Sequence, residues 1–120
     1  MKFIVSIIVI TVIFIGVGIW ITSPKSTPET STQLDSFAKC LAEKNLTMYG
    51  AAWCSHCQAQ KKLFGDSFQY VPYVECPNQA KLCLDKGVEG YPTWITQDGT
   101  KLVGEQSLQS LSSATSCPLP

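Results

Sequence analysis

Arginine is absent from this 120-residue chain, histidine occurs once, and nine lysines balance nine acidic residues to a net charge of zero. Without arginine there is no planar, bidentate group to grip phosphate, and no basic stripe replaces it, so no nucleic-acid partner is expected. No glycine-rich nucleotide loop, hydrolase triad or paired-carboxylate pattern is present, and no internal repeat. Charge itself is missing from Phe3 to Ile21 (FIVSIIVITVIFIGVGIWI), a run that inflates the 45% apolar content of an otherwise ordinary small domain. Cysteine, by contrast, is plentiful, with six in the chain.

Nineteen uncharged residues span roughly 28 Å as a helix, close to the thickness of a bilayer's hydrocarbon core. Gly18-Ile19-Trp20-Ile21 leads into Thr22-Ser23-Pro24 without the small-residue pattern of a cleaved signal, so residues 1–21 are expected to be an uncleaved, single-pass membrane anchor. Lys2 and the α-amino group precede the run and only Lys25 follows closely, which favours a cytoplasmic amino terminus and a domain outside. Six cysteines point the same way, because disulfides persist in periplasmic or lumenal spaces rather than in a reducing cytosol. Residues 22–32, rich in Ser, Thr and Pro, read as a flexible linker, and residues 33–120 as the folded domain.

Within that domain, Thr32 and Asp35 followed by Leu34, Phe37, Ala38, Leu41 and Ala42 predict a capped amphipathic helix ending near Lys44 and Asn45. Leu46–Ala51 predicts a short buried strand, Gln58–Phe64 a helix stopped by Gly65, and Phe68–Glu75 a strand whose Pro72 suits an edge position. Asn78–Lys86 predicts a helix closed by Gly87. Pro92–Gln97, the Asp98-Gly99 turn and Thr100–Gly104 predict a hairpin, and Gln106–Ala114 a last helix. A strand, crossover helix and second strand imply a right-handed parallel unit, with the hairpin adding antiparallel strands. The expected fold class is therefore α/β: a four-stranded mixed sheet flanked by helices and preceded by one transmembrane helix.

The chemistry gathers at Trp53-Cys54-Ser55-His56-Cys57. A Cys-x-x-Cys where a strand gives way to a helix places the first sulfur among unsatisfied N–H groups at the positive end of the helix dipole. Cys54 is thus the candidate nucleophile, and Cys57, less than a turn on, the resolving thiol. A protonated His56 between them would favour a Cys54 thiolate; as an alternative, it is simply solvated. No second cluster with ligand spacing accompanies these residues, so no metal is expected.

WCSHC after a strand, with Gly90-Tyr91-Pro92-Thr93 opening a later one, resembles the thioredoxin superfamily. More narrowly, FAKCLAEKNLTMYGAAWCSHCQAQKKLFG, YVPYVEC and GYPTW resemble the thioredoxin-like domain fused to, or partnering, bacterial and plant vitamin K epoxide reductase (VKOR) homologues. The resemblance implies an extracytoplasmic oxidoreductase that oxidises thiols of exported proteins and is reoxidised by a quinone-linked, VKOR-like membrane enzyme. It needs no cofactor beyond its own redox-active disulfide. It also implies that Pro92 is a cis-proline beside Cys54 and Cys57, where Tyr91 could pair with an extended client and Trp53 line the active surface. Met48, six residues before Cys54, departs from the buried acidic residue of thioredoxins, which puts efficient deprotonation of Cys57 in question.

The remaining four cysteines allow three pairings. Cys76 with Cys83, a local clip which the resemblance also suggests, and Cys40 with Cys117, joining the ends of the domain, are favoured as structural disulfides. Lys61 and Lys62 read as a solvated helix face. Two other functions compete with a thiol oxidase: a disulfide isomerase or reductase, and a non-catalytic module that holds client peptides with all its disulfides structural.

Overall fold

The computed structural model describes residues 28–120. The predicted anchor over 1–21 and linker residues 22–27 lie outside the described residues, among which no helix is long and apolar enough to cross a membrane. Helix α1 spans Pro28–Glu43. It starts ahead of the predicted Thr32 cap and takes in residues 28–32 of the predicted linker. Proline suits a helix's first position, where its missing N–H would have no partner. The helix buries Phe37, Ala38 and Leu41 and stops at Asn45, whose φ of 53° lets the Leu46 N–H turn back to the Leu41 carbonyl at 3.0 Å.

Strand β1 (Thr47–Gly50) runs through the middle of the sheet, and helix α2 (Ser55–Phe64) follows it. After α2 come β2 (Tyr73–Glu75), α3 (Ala80–Asp85), β3 (Thr93–Ile95), β4 (Lys101–Val103) and α4 (Leu108–Thr115). The strand order is β2-β1-β3-β4, with β1 parallel to β2 and antiparallel to β3, and β3 antiparallel to β4. This is the four-stranded mixed sheet of the sequence expectation, and β2 holds the edge that Pro72 called for; the Pro72 carbonyl accepts the Met48 N–H at 2.9 Å.

Alternation along the strands divides the core. Met48, Trp94 and Leu102 stand in register and face a cluster with Phe37, Leu41, Cys57, Phe64 and Leu111. Tyr49, Val74 and Ile95 face the opposite way and pack with Cys76, Cys83 and Val88. Helices α1, α2 and α4 thus cover one face and α3 the other. One disulfide joins Cys40 of α1 to Cys117 beyond α4, and a second joins Cys76 to Cys83.

The predicted strand over Phe68–Glu75 shrinks to Tyr73–Glu75, because Gly65–Tyr70 winds as a 3₁₀ turn. Its aromatic residues earned a strand reading, but tertiary packing decides otherwise. Phe68 stands edge-on to Phe64 at 6.0 Å and to Tyr73 at 5.9 Å, while buried Ser67 donates to Asp35 of α1 at 2.5 Å. Gly65, at a φ of 54°, permits the sharp exit from α2 that brings those contacts together. The predicted helix over Asn78–Lys86 is likewise shorter, with Cys76–Asn78 forming a 3₁₀ turn ahead of α3. The last helix begins at Leu108, where the Ser107 hydroxyl caps it by accepting the Ser110 N–H at 3.0 Å.

Candidate active site

Strand β1 delivers the chain through Ala51-Ala52-Trp53 to Cys54, which is the N-cap of α2. The Cys54 sulfur accepts the Cys57 N–H at 3.2 Å and its carbonyl accepts the Gln58 N–H at 3.1 Å, so the sulfur stands at the positive end of the helix dipole. Cys54 and Cys57 are both unbridged thiols here. The two differ in exposure: Cys54 keeps 7% and Cys57 none. Burial, reinforced by the hydrogen bond with Cys54, pushes the Cys57 thiol up to about 11.

Opposite Cys54, the Tyr91–Pro92 peptide is cis. The Cys54 thiol donates to the Tyr91 carbonyl at 3.8 Å, and the Trp53 and Tyr91 rings meet edge to face at 6.0 Å. Trp53 is 71% exposed, which makes it a solvent-facing rim rather than a core residue. Trp53, Cys54 and Tyr91 therefore meet at one surface, with Cys57 and Pro92 buried beneath it, although these residues are separated by up to 39 positions in sequence. His56 faces outward, where its Nδ1 lies 2.5 Å from Oε1 of Glu105 in the segment after β4.

Several residues around the site have no signature motif in the sequence that places them there. Glu105 carries no local signal, since it meets His56 across 49 positions. Gln60 is fully buried; its Oε1 accepts the Trp94 indole N–H at 3.3 Å and the Gln106 N–H at 2.6 Å, and its Nε2 donates to the Gln106 carbonyl at 3.0 Å. It thereby fastens the segment bearing Glu105 to α2, and its place on the face of Cys57 and Phe64 was the available signal. Glu75 accepts the Ala52 N–H on one oxygen at 2.9 Å and the Tyr73 O–H on the other at 2.5 Å. These bonds hold its carboxyl below the ordinary carboxylate range, while burial and Glu75 raise the Tyr73 hydroxyl. Lys61 is not part of a wholly solvated face: its ammonium sits 3.7 Å from the centre of the Tyr73 ring.

No protein-family model matches the chain. The thiol-disulfide oxidoreductase LTO1 of Arabidopsis thaliana is 40% identical over 89 residues, covering 67% of this chain and 23% of that protein. A thioredoxin domain-containing protein 5 homolog of Drosophila melanogaster is 33% identical over 89 residues, covering 65% of this chain and 21% of that protein. A protein disulfide-isomerase of Aspergillus oryzae is 34% identical over 68 residues, covering 49% of this chain and 13% of that protein. The chain thus spans less than a quarter of these curated relatives. Among solved structures, the thioredoxin NaTrxh of Nicotiana alata is similar with a TM-score of 0.48 and 15% identity, covering 57% of this chain and 67% of that one. The mixed sheet, a Cys-x-x-Cys capping the helix after the central strand and a cis-proline opposite make a thioredoxin-like arrangement, and the similarity to thiol-disulfide oxidoreductases supports that superfamily for the described domain.

Proposed function

We propose that the chain is a membrane-tethered thiol-disulfide oxidase whose Cys54–Cys57 disulfide passes to exported cysteine-containing proteins and is restored by a quinone-linked, VKOR-like membrane enzyme. The observation that carries the exchange chemistry is the asymmetry of the two sulfurs, Cys54 reachable at a helix amino terminus and Cys57 sealed behind it. A client thiolate attacks the Cys54 sulfur, the Cys54–Cys57 bond breaks, and its electron pair leaves on Cys57, which takes up a proton. The client's second thiolate then attacks the client sulfur of the mixed disulfide, so the client leaves oxidised and the Cys54–Cys57 pair is reduced.

Negative charge on Cys54 is met by the Cys57 N–H and the end of α2, which stabilises the reduced pair and supports the oxidising direction. The exposed Trp53 and the Tyr91 backbone support docking of an extended client segment. The uncharged run Phe3–Ile21 and the abundance of cysteine support a tether with the domain outside the cytoplasm, and the VKOR-associated resemblance supports the membrane partner. A second reading, isomerase or reductase, is favoured by the likeness to protein disulfide-isomerase and requires Cys54 to be kept reduced.

The reduction potential of the Cys54–Cys57 couple separates the two. A value near or above about −180 mV is expected, whereas one near −270 mV would replace the oxidase with a reductase. In cells, Cys57→Ser should accumulate mixed disulfides with exported proteins and with the membrane oxidase, and Cys54→Ser few or none. Equal trapping would overturn the assignment of the two sulfurs, and no trapping by either would favour the non-catalytic module.

A further inference from the structure

Cys57 must gain a proton when it leaves and lose one when it attacks, yet it is fully buried, and the central strand offers its cluster only the equally buried Met48, which can do neither. Besides Cys54 and the Ala51 backbone, which hydrogen-bond it, and Lys61 of its own helix, the polar side chains on this face come from the adjacent strand. Met48 pairs in register with Tyr73, and Gly50 with Glu75, so these four positions line the same face of the sheet. Gly50 has no side chain to fill the space between: a Cβ there would lie 2.8 Å from the Cys57 sulfur and 3.5 Å from the Tyr73 hydroxyl oxygen. The sulfur and the phenol oxygen thus flank one small space, within reach of a proton transfer through a single bridging water. Beyond it, the Tyr73 hydroxyl donates to Glu75, a half-buried carboxylate with a path to solvent.

We infer that Tyr73, backed by Glu75, is the proton relay of Cys57, performing from the edge strand what the Met48 side chain on the central strand cannot. This rests on the exchange chemistry proposed above. When Cys57 attacks a mixed disulfide on Cys54, its S–H proton passes to the Tyr73 oxygen as the Tyr73 proton passes to the Glu75 carboxylate, which returns it to solvent. The Cys57 electron pair forms the bond to the Cys54 sulfur, and the other sulfur leaves as a thiolate. Two cysteines are oxidised and one disulfide is reduced to two thiolates. When a client opens the Cys54–Cys57 disulfide, the same protons run in reverse. Glu75 is held ionised by its bonds to Tyr73 and Ala52, so the acceptor is ready throughout the neutral range. The titratable groups facing this cluster are Cys54, Cys57 and Lys61 from α2 and Glu75 from β2; the 3₁₀ turn contributes the apolar Phe68 ring.

The test uses the full chain in detergent, with the Cys54–Cys57 pair selectively reduced, and dithiobis(nitrobenzoate) as oxidant. The first chromogenic thiolate released reports attack by Cys54, and the second reports attack by Cys57. Tyr73→Phe should slow the second release about tenfold or more near neutral pH and leave the first unchanged. Without the relay, the second release depends on the Cys57 thiolate and should rise about tenfold per pH unit, so the gap to the native chain narrows between about pH 6 and 10. Glu75→Gln, which leaves the aromatic packing in place, should show the same narrowing gap. An unchanged second release, or a deficit of equal size at every pH, would overturn the relay. A native chain that releases no second thiolate would instead overturn the exchange reading itself.

Discussion

The imidazole Nδ1 of His56 lies 2.5 Å from Oε1 of Glu105, tying the first turn of the Cys-x-x-Cys helix to the segment that follows β4. The two side chains are 72% and 42% exposed, so solvent screens the pair and its contribution to stability is at most about 1 kcal/mol. Its larger consequence is electrostatic, since a carboxylate beside the imidazolium offsets the positive charge that the imidazolium brings towards Cys54. Substituting each partner should therefore move the reduction potential in opposite directions. Glu105→Gln is expected to make the disulfide more oxidising and His56→Ala less so, each by about 10–20 mV, read against a glutathione redox buffer.

The buried thiol makes the reduced protein sensitive to alkali. In the folded chain Cys57 is raised from 9.0 to about 11, so between those values the unfolded chain releases a proton that the folded one retains. The stabilisation is complete below about pH 9 and is lost as the pH rises through the folded value. The urea midpoint of the reduced protein should accordingly fall more steeply from pH 9 to 11 than that of Cys57→Ala, which lacks only this thiol.

Gly50 is required by what lies opposite it. An alanine there would place its Cβ 2.8 Å from the Cys57 sulfur and 3.3 Å from the Tyr73 ring, at the end of β1 where Gly50 is still paired with Glu75 of β2. Gly50→Ala is expected to cost about 1–3 kcal/mol in urea denaturation and to slow closure of the Cys54–Cys57 disulfide by displacing its buried sulfur.

The two structural disulfides should differ in worth because they close loops of different length. Cys40 and Cys117 are 77 positions apart, and Cys76 and Cys83 only 7. In the chain-entropy model the long bridge contributes about 4 kcal/mol and the short one about 2–3 kcal/mol. Replacing both cysteines of a pair by serine should reproduce that order in thermal or urea unfolding.

What the sequence by itself determined is what depends on neighbours along the chain. The order of helices and strands follows from apolar periodicity. The stops at Asn45, Gly65 and Gly87 follow from residues that tolerate a positive φ, and the edge position of β2 from a proline that cannot donate to a ladder. The placement of Cys54 at a helix amino terminus is equally local, since a strand-to-helix junction and the first turn of α2 lie within a few residues of it. The tertiary structure decided what depends on the crossing of distant segments. Which of three cysteine pairings forms is a question of which Cα atoms come within 5.8 Å, and no propensity encodes it. The contact of His56 with Glu105 and the seat of Gln60 against Gln106 exist because β4 returns beside β3 and its exit passes over α2. Gly65–Tyr70 forms a turn instead of the predicted strand because Phe68 gains more from packing on Phe64 and Tyr73 than from extending a sheet edge. Tyr73 and Glu75 lie two residues apart and read locally as ordinary strand positions; only the parallel pairing of β2 with β1 sets them across Gly50 from the buried sulfur of Cys57.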